Sequence, residues 1–180
     1  MDQLTKPIRR VITQNDAKGK SFIVEDALIT NVKVVPERPG YQVSNIWRVT
    51  ESPASISAPN TIDEHVGVLP TKNGNVLRVI DYPPEPKDPI ELKRQQDATF
   101  GALYPDAGHD LKPHDHPGMH ITETVDYAIV LAGEMTAILE NEETVLKTGD
   151  ILIQRGTNHA WANRSVQAAR ILFVLIDGKY

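Results

Sequence analysis

The side chains best suited to proton transfer or metal binding in this sequence are histidines and carboxylates of its second half. Histidines occur in the segment His114-Asp115-His116, at His120 and at His159. The 180 residues contain no cysteine, which excludes disulfide bonds, thiolate zinc sites and cysteine nucleophiles. Imidazole and carboxylate groups are therefore the available metal ligands and the available general acids and bases. His65 and His109 belong to no recognisable pattern, and we interpret them as surface residues.

Residues 149–163 read GDILIQRGTNHAWAN, a turn, a strand, a second turn and a second strand. This segment resembles the second motif of the cupin family, in which a Gly-Asp turn precedes a strand, a Pro/Gly turn, a metal-binding histidine and, four residues later, an asparagine. The kept positions are Gly149, Asp150, Gly156, His159 and Asn163. Arg155 stands where proline is usual, and the segment is one residue shorter than the family motif. These differences affect the expected geometry of the turn more than the position of the histidine.

The first cupin motif fits in two registers, each only in part. The family pattern is Gly, five residues, His-x-His, three or four residues, Glu, six residues, Gly. Counting back from Gly133 places Asp126 at the glutamate position and Thr122 and His120 at the two histidine positions. We favour this register, because the strand 127–131 and the turn that follows it anchor the count.

The alternative register counts forward from Gly108. It places His114 and His116 in His-x-His, but no acidic residue follows at the required distance. In the favoured register, residues 114–118 form a loop at the mouth of a barrel instead. The stretch 116–176 then resembles small single-domain cupins with an RmlC-like jelly roll, in a branch whose first motif is degenerate.

This resemblance predicts a catalytic centre of His120, Asp126 and His159. His120, Thr122 and Asp126 share the interior face by period-two alternation. With His159 they offer two imidazoles and a carboxylate, either as a facial triad for a divalent metal, with Fe, Zn and Mn all open, or as a metal-free acid–base group. Thr122 stands at the position of the motif's second histidine, which is a strong metal ligand. An alternative ligand set includes His116 or Glu123. The predicted substrate-binding residues are Thr122, Tyr127, Arg155, Trp161 and Trp47.

The elements that must position these residues are short strands separated by turns. Alternating or apolar runs predict strands at 125–132, 135–140, 143–146, 151–154, 160–163 and 169–176. Close spacing of this kind is typical of a sandwich or barrel. The last run is apolar throughout, which predicts that both of its faces are covered. The expected fold class is all-β, a cupin double-stranded β-helix or jelly-roll barrel.

The first half of the chain predicts a β-rich annex and one short helix. Strand-like runs occur at 10–13, 21–24, 45–49 and 76–80, with proline-containing connections between them. Asp88 followed by Pro89 and Glu91 predicts a helix start, and Pro105 predicts its end near Tyr104. We predict an annex over residues 1–97 that packs on a barrel over residues 98–180, together forming one structural domain.

The composition and charge of the chain restrict the kinds of partner that we expect it to bind. With 40% hydrophobic and 24% charged residues, the chain has the composition of a folded globular protein. A formal net charge of −5 disfavours binding to nucleic acid. No apolar run approaches the ~20 residues of a membrane span, and the N-terminus lacks an apolar signal, so we expect no membrane partner and a cytoplasmic location. Barrels of the resembled family pair through their sheets, which predicts a homodimer.

Three functions remain open. The first is a lyase or isomerase that decarboxylates, dehydrates or isomerises an organic acid or a polyketide-like aromatic by proton transfer. The second is a metal-dependent dioxygenase, which needs a tightly held redox metal and is disfavoured by Thr122. The third is a non-catalytic barrel that binds a small ligand. The first is favoured, and in each case the partner is a small molecule.

Overall fold

The computed structural model describes residues 6–180, which form strands, one α-helix (α1, Pro89–Leu103) and a single 3-10 turn (Ile62–Glu64). The strands of the first half are β1 (Arg9–Asn15), β2 (Ser21–Leu28), β3 (Val32–Val34), β4 (Gln42–Val49) and β5 (Asn75–Tyr82). Those of the second half are β6 (Thr124–Ala132), β7 (Glu134–Leu139), β8 (Glu143–Lys147), β9 (Ile151–Arg155), β10 (His159–Ala162) and β11 (Ala169–Asp177). The predicted all-β class is confirmed.

The strands form two facing sheets and a separate hairpin. A six-stranded sheet has the order β3-β4-β5-β11-β6-β9, and a three-stranded sheet has the order β10-β7-β8. Every strand pairing in them is antiparallel. Among the strands of residues 6–180, β1 and β2 pair only with each other, as a hairpin. Short antiparallel strands that exchange between two sheets are the architecture of a jelly roll.

The apolar core lies between the sheets and follows the alternation of β11. Ile171, Phe173 and Leu175 are buried on the interior face, whereas Leu172 and Val174 on the other face are half-buried. The prediction that both faces of this strand are covered is therefore correct only in part. Its central place between β5 and β6 explains its apolar sequence, because its inward residues pack in the core between the two sheets.

The predicted helix is confirmed at both ends. The Asp88 carboxylate accepts a hydrogen bond from the backbone N–H of Ile90 at 3.0 Å, which satisfies one of the free amides of the first turn. The helix ends before Pro105. Its buried residues are Gln96, Thr99 and Phe100, so its inner face is more polar than that of a typical amphipathic helix.

The N-terminal strands supply part of the barrel wall. β5 pairs with β11 from Asn75↔Ile176 to Tyr82↔Ala169, and β4 continues the same sheet beyond β5. The predicted division at 97/98 falls inside α1. The strand β3 was not predicted from the sequence, because its three residues are too few to show alternation. Residues of the first half thus reach the interior of the barrel.

Within residues 6–180, no helix combines the length and apolarity needed to cross a membrane.

Candidate active site

A cavity of about 600 Å³, counted to its open mouth, lies between the two sheets and α1. Its lining joins the three predicted catalytic residues to aromatic and cationic side chains from the whole chain. The lining residues used below are His120, Thr122, Asp126, His159, Trp161, Arg38, Arg78, Tyr41, Tyr82, Tyr104, Phe100 and Phe173. The three predicted catalytic residues therefore face one common space.

His120 and His159 form a pair fixed by the backbone. The two residues exchange reciprocal backbone hydrogen bonds of 2.9 Å in an isolated antiparallel bridge. Their ring centres are 4.3 Å apart. Each Nδ1–H donates to a backbone carbonyl at 2.9 Å, that of Gly118 for His120 and that of Thr157 for His159. A carbonyl only accepts, so Nδ1 carries the proton and Nε2 of both rings keeps its lone pair.

Both imidazoles are neutral at physiological pH. Burial lowers the pKa of His120 to about 4. Burial, with the neighbouring His120 as the next cause, lowers the pKa of His159 to about 3. Removing a cation from water disfavours the protonated form of a buried imidazole. The pair consequently presents two hydrogen-bond acceptors to the cavity.

Asp126 is the carboxylic acid of the cavity. It lies on β6, is 4% exposed and faces inward, and its Oδ1 has no hydrogen-bond partner anywhere in residues 6–180. Burial raises the pKa of this carboxyl to about 6, although a hydrogen bond from Thr124 and the charge of Arg78 act in the opposite direction. A pKa near the operating pH suits a group that takes up and returns a proton.

The donor set does not fit a metal site with three protein ligands. Across the described part of the chain, no group of three or more His, Asp or Glu side chains is arranged to hold a metal ion. His120, Asp126 and His159 line the same cavity without forming such a cluster. The alternative ligand His116 places Nε2 3.1 Å from Glu85 Oε1, and its Nδ1 accepts a hydrogen bond from Gly118 N–H. Among the described residues, His116 does not belong to the cavity lining.

Comparison with known proteins agrees with this architecture. A family model described as "Cupin domain" matches residues 108–175. "Phomopsin biosynthesis cluster protein C'" of Diaporthe leptostromiformis is 32% identical over 94% of this chain and 78% of that protein. The chain belongs to the cupin family. The "Cupin-domain-containing oxidoreductase fogC" of Aspergillus ruber is 25% identical over 93% of this cupin and 71% of that protein. The solved "Schizosaccharomyces pombe Cnp3 Cupin Domain" has a TM-score of 0.46 at 9% identity, over 94% of this chain and 87% of that chain.

Two predicted substrate-binding residues of this cupin line the cavity. Thr122 is buried, and its hydroxyl shares a 2.8 Å hydrogen bond with that of Thr124. Trp161 packs edge-on against His159 and Phe173, with ring centres 5.8 and 5.2 Å away. Trp161 and Phe173 thus extend the histidine pair into an aromatic wall.

The other three predicted substrate-binding residues are placed outside the lining. Tyr127 is 42% exposed, because it follows the inward Asp126 by one residue and so faces out. Arg155 is exposed for the same reason after the buried Gln154. A bulge in β4 between Asn45 and Trp47 pairs Trp47 with Leu77, on the sheet face opposite Arg78. Trp47 is half-buried there.

Several cavity residues were missed from the sequence. Arg38, Tyr41, Arg78 and Tyr82 come from the first half, and Phe100 and Tyr104 from α1 and its C-cap. One signal was available for Arg78, a lone arginine in the otherwise apolar stretch 76–80 of β5.

The interpretation of His65 and His109 as surface residues is wrong. His65 is buried and accepts a 2.7 Å hydrogen bond from Arg78 Nη2. His109 is half-buried and stacks on Phe100, with ring centres 3.9 Å apart. His114, by contrast, is an exposed loop residue with a φ of 75°.

Proposed function

We propose that this cupin is an enzyme of secondary metabolism that acts on a small molecule by proton transfer, as a lyase or isomerase. The relative named as a phomopsin biosynthesis cluster protein supports a role in secondary metabolism. The observation that carries the reaction type is the arrangement in the cavity: a buried carboxyl with a free oxygen faces the same space as two neutral imidazoles with free Nε2 atoms.

In the proposed reaction Asp126 is the general base. Its carboxylate takes a proton from a carbon next to a substrate carbonyl, and the C–H electron pair moves to form an enolate. Asp126 then returns the proton, to another carbon for isomerisation or to a departing hydroxyl for dehydration. The Nε2 atoms of His120 and His159 accept hydrogen bonds from substrate hydroxyls and orient the reacting carbon.

The walls favour a substrate with an apolar body. Phe100, Trp161 and Phe173 surround the reactive groups, and aromatic walls of this kind suit a flat polyketide-like aromatic.

The second candidate is a metal-dependent dioxygenase, favoured by relatives named cupin-domain-containing oxidoreductases. Turnover of candidate aromatic polyketide acids in D2O, with oxygen uptake recorded, separates the two. We expect a product that is isomeric with the substrate or lighter by water, solvent deuterium at the reprotonated carbon when the product is an isomer, and no oxygen consumption. Oxygen uptake that matches product formation, with near-stoichiometric iron in the purified protein, would favour the dioxygenase. Binding without turnover would support the non-catalytic alternative.

We also propose that the protein is a homodimer, in the cytoplasm. The hairpin β1–β2 supports this, because an isolated two-stranded hairpin is marginal in water. Its exposed apolar residues include Phe22, Ile23, Val24 and Leu28. Packing of this hairpin on a second copy would bury that surface. Light scattering at micromolar concentration is expected to give twice the chain mass of 20.0 kDa. A monomer under those conditions contradicts the proposal.

A further inference from the structure

Two arginines face the cavity and have no ionic partner in the described part of the chain. Arg38 is 4% exposed and Arg78 is 1% exposed, and both line the cavity. For residues 6–180, no Asp or Glu oxygen lies within the 4.0 Å of an ion pair from either guanidinium. Asp126, the acidic residue of the described lining, is thus not their salt-bridge partner.

The partly buried arginines outside the cavity are paired with carboxylates. Arg10, Arg48 and Arg170 are half-buried, and each has a carboxylate oxygen at 2.6–2.7 Å, from Glu25, Glu64 and Asp81 respectively. Within residues 6–180, the partly buried arginines outside the cavity are therefore paired with carboxylates, and the two most buried arginines are not. Burying an unpaired charge is costly, so an unpaired buried cation indicates a missing anion.

Neutral groups satisfy the two guanidiniums only in part. Arg78 Nη2 donates to His65 Nε2 at 2.7 Å and, at 3.3 and 3.4 Å, to the carbonyls of Gly67 and Val68. Its Nε has no acceptor in the described chain. Arg38 Nη1 donates to Gln96 Oε1 at 3.2 Å, and its guanidinium carbon lies 4.2 Å from the centre of the Tyr41 ring. Donor capacity remains on both arginines.

Three phenols complete a cationic corner of the cavity. The hydroxyls of Tyr41 and Tyr104 are 2.7 Å apart, and Tyr82 packs edge-on against Tyr41 with ring centres 5.3 Å apart. Burial raises the pKa of all three phenols, so they remain neutral donors at physiological pH. Within residues 6–180 no carboxylate lies at ion-pair distance from these guanidiniums, and guanidinium and phenol donors together form a donor set that binds a carboxylate.

We propose that the substrate of this cupin is a carboxylate on an aromatic or polyketide-like body, and that Arg38 and Arg78 bind its carboxylate. This inference rests on the proposed function in placing a substrate in the cavity, and it specifies which end of the molecule each wall holds. The carboxylate lies at the corner of arginines and tyrosines, and the reacting carbon lies toward Asp126 and the histidine pair.

A matched pair of ligands tests the proposal without knowledge of the natural substrate. Naphthalene-2-carboxylate and naphthalene-2-carboxamide have the same shape and differ in charge. The chain has two tryptophans, and in a Trp47→Phe background the fluorescence of Trp161 reports the cavity. We expect the carboxylate to bind about tenfold or more tightly than the carboxamide, as charge-assisted hydrogen bonds imply. Equal affinities, or no binding of either ligand at millimolar concentration, overturn the proposal.

Variants assign the preference to the two arginines. Arg38→Met and Arg78→Met should each bring the two affinities to within about threefold, while Arg164→Met, at an exposed arginine outside the cavity, should change neither. If Arg78→Met does not fold, Arg38→Met and the charge-retaining Arg78→Lys, which should keep most of the preference, remain informative. A full preference in both folded Met variants contradicts the assignment.

The Asp126→Asn variant distinguishes failure of the proposed proton-transfer reaction from failure of the proposed carboxylate subsite. Asp126→Asn should keep the carboxylate preference and lose turnover. If the carboxylate preference depends on the arginines and Asp126→Asn is fully active, the carboxylate subsite is supported and the proton-transfer reaction is rejected. Lost turnover in Asp126→Asn without any carboxylate preference would reject only the subsite.

Discussion

Replacing Asp126 with asparagine is expected to lower kcat by about 10²- to 10⁴-fold, the usual contribution of a positioned acid–base group. Asparagine has nearly the same shape and keeps a polar oxygen, but it cannot take up a proton. Binding of cavity ligands should therefore change little, because the aromatic walls and the histidine pair remain. Steady-state kinetics on the substrate found by the turnover screen, with ligand affinity from Trp161 fluorescence, measures both quantities.

The pH dependence of activity supplies a second readout for Asp126. The general base must be ionised, and burial raises the pKa of this carboxyl to about 6. The kcat/KM of the wild-type protein reports the free enzyme and should therefore rise with pH through about 6 and level off above it. The imidazoles, with pKa values lowered to about 4 and about 3, contribute nothing in that range. Asp126→Asn should lose this acid limb from its residual activity.

A matched control is Asp110→Asn, which removes an exposed carboxylate outside the cavity lining. It should leave both kcat and the pH profile unchanged. Full activity of Asp126→Asn would contradict the role assigned to Asp126. A wild-type pH profile that is flat between pH 5 and 7 would also contradict it, because a base with a pKa of about 6 changes its ionisation in that range.

The C-terminal half of the cavity was predictable because its signals are local. In β6 the side chains alternate, so the sequence places Asp126 inside and Tyr127 outside once the register is fixed. The same rule argues against Tyr127 as a cavity residue, although the aromatic character of its side chain favoured it. His159 lies where the motif predicts it although Arg155 replaces the usual proline in the preceding turn. Its reciprocal bridge to His120 depends on backbone groups alone and not on the side chain of that turn residue.

The other half of the cavity depends on pairing between distant segments. β5 meets β11 in a register that joins Asn75 to Ile176, and no short-range pattern encodes such a partner. The positions of Arg38 and Arg78 follow from that pairing and from α1. Ligand geometry also lies beyond motif spacing: three residues at family positions share a cavity here without being arranged as a metal cluster.

Asn163 connects these two halves, and its replacement by alanine is expected to destabilise the fold by about 2–4 kcal/mol, the cost of leaving buried backbone groups unpaired. The residue is 1% exposed. Its Nδ2 donates to the carbonyls of Tyr82 and Gln167 at 2.9 and 2.8 Å, and its Oδ1 accepts from the backbone N–H and hydroxyl of Ser165 at 3.0 and 2.8 Å. Alanine provides none of these four interactions.

Urea denaturation measures the change, with Asn158→Ala as control, since Asn158 has a single long contact of 3.4 Å to the exposed Glu140 and should cost less than about 0.5 kcal/mol. Asn163→Asp keeps the volume but cannot donate to the two carbonyls, so it should destabilise at least as much as alanine. An alanine variant as stable as the control would contradict this role. Because the Tyr82 carbonyl ends β5, the strand that carries Arg78, a destabilised but folded Asn163→Ala protein should also lose part of its preference for carboxylate ligands. Asn163, found here through a local motif, thereby positions the wall of the cavity that local motifs did not reveal.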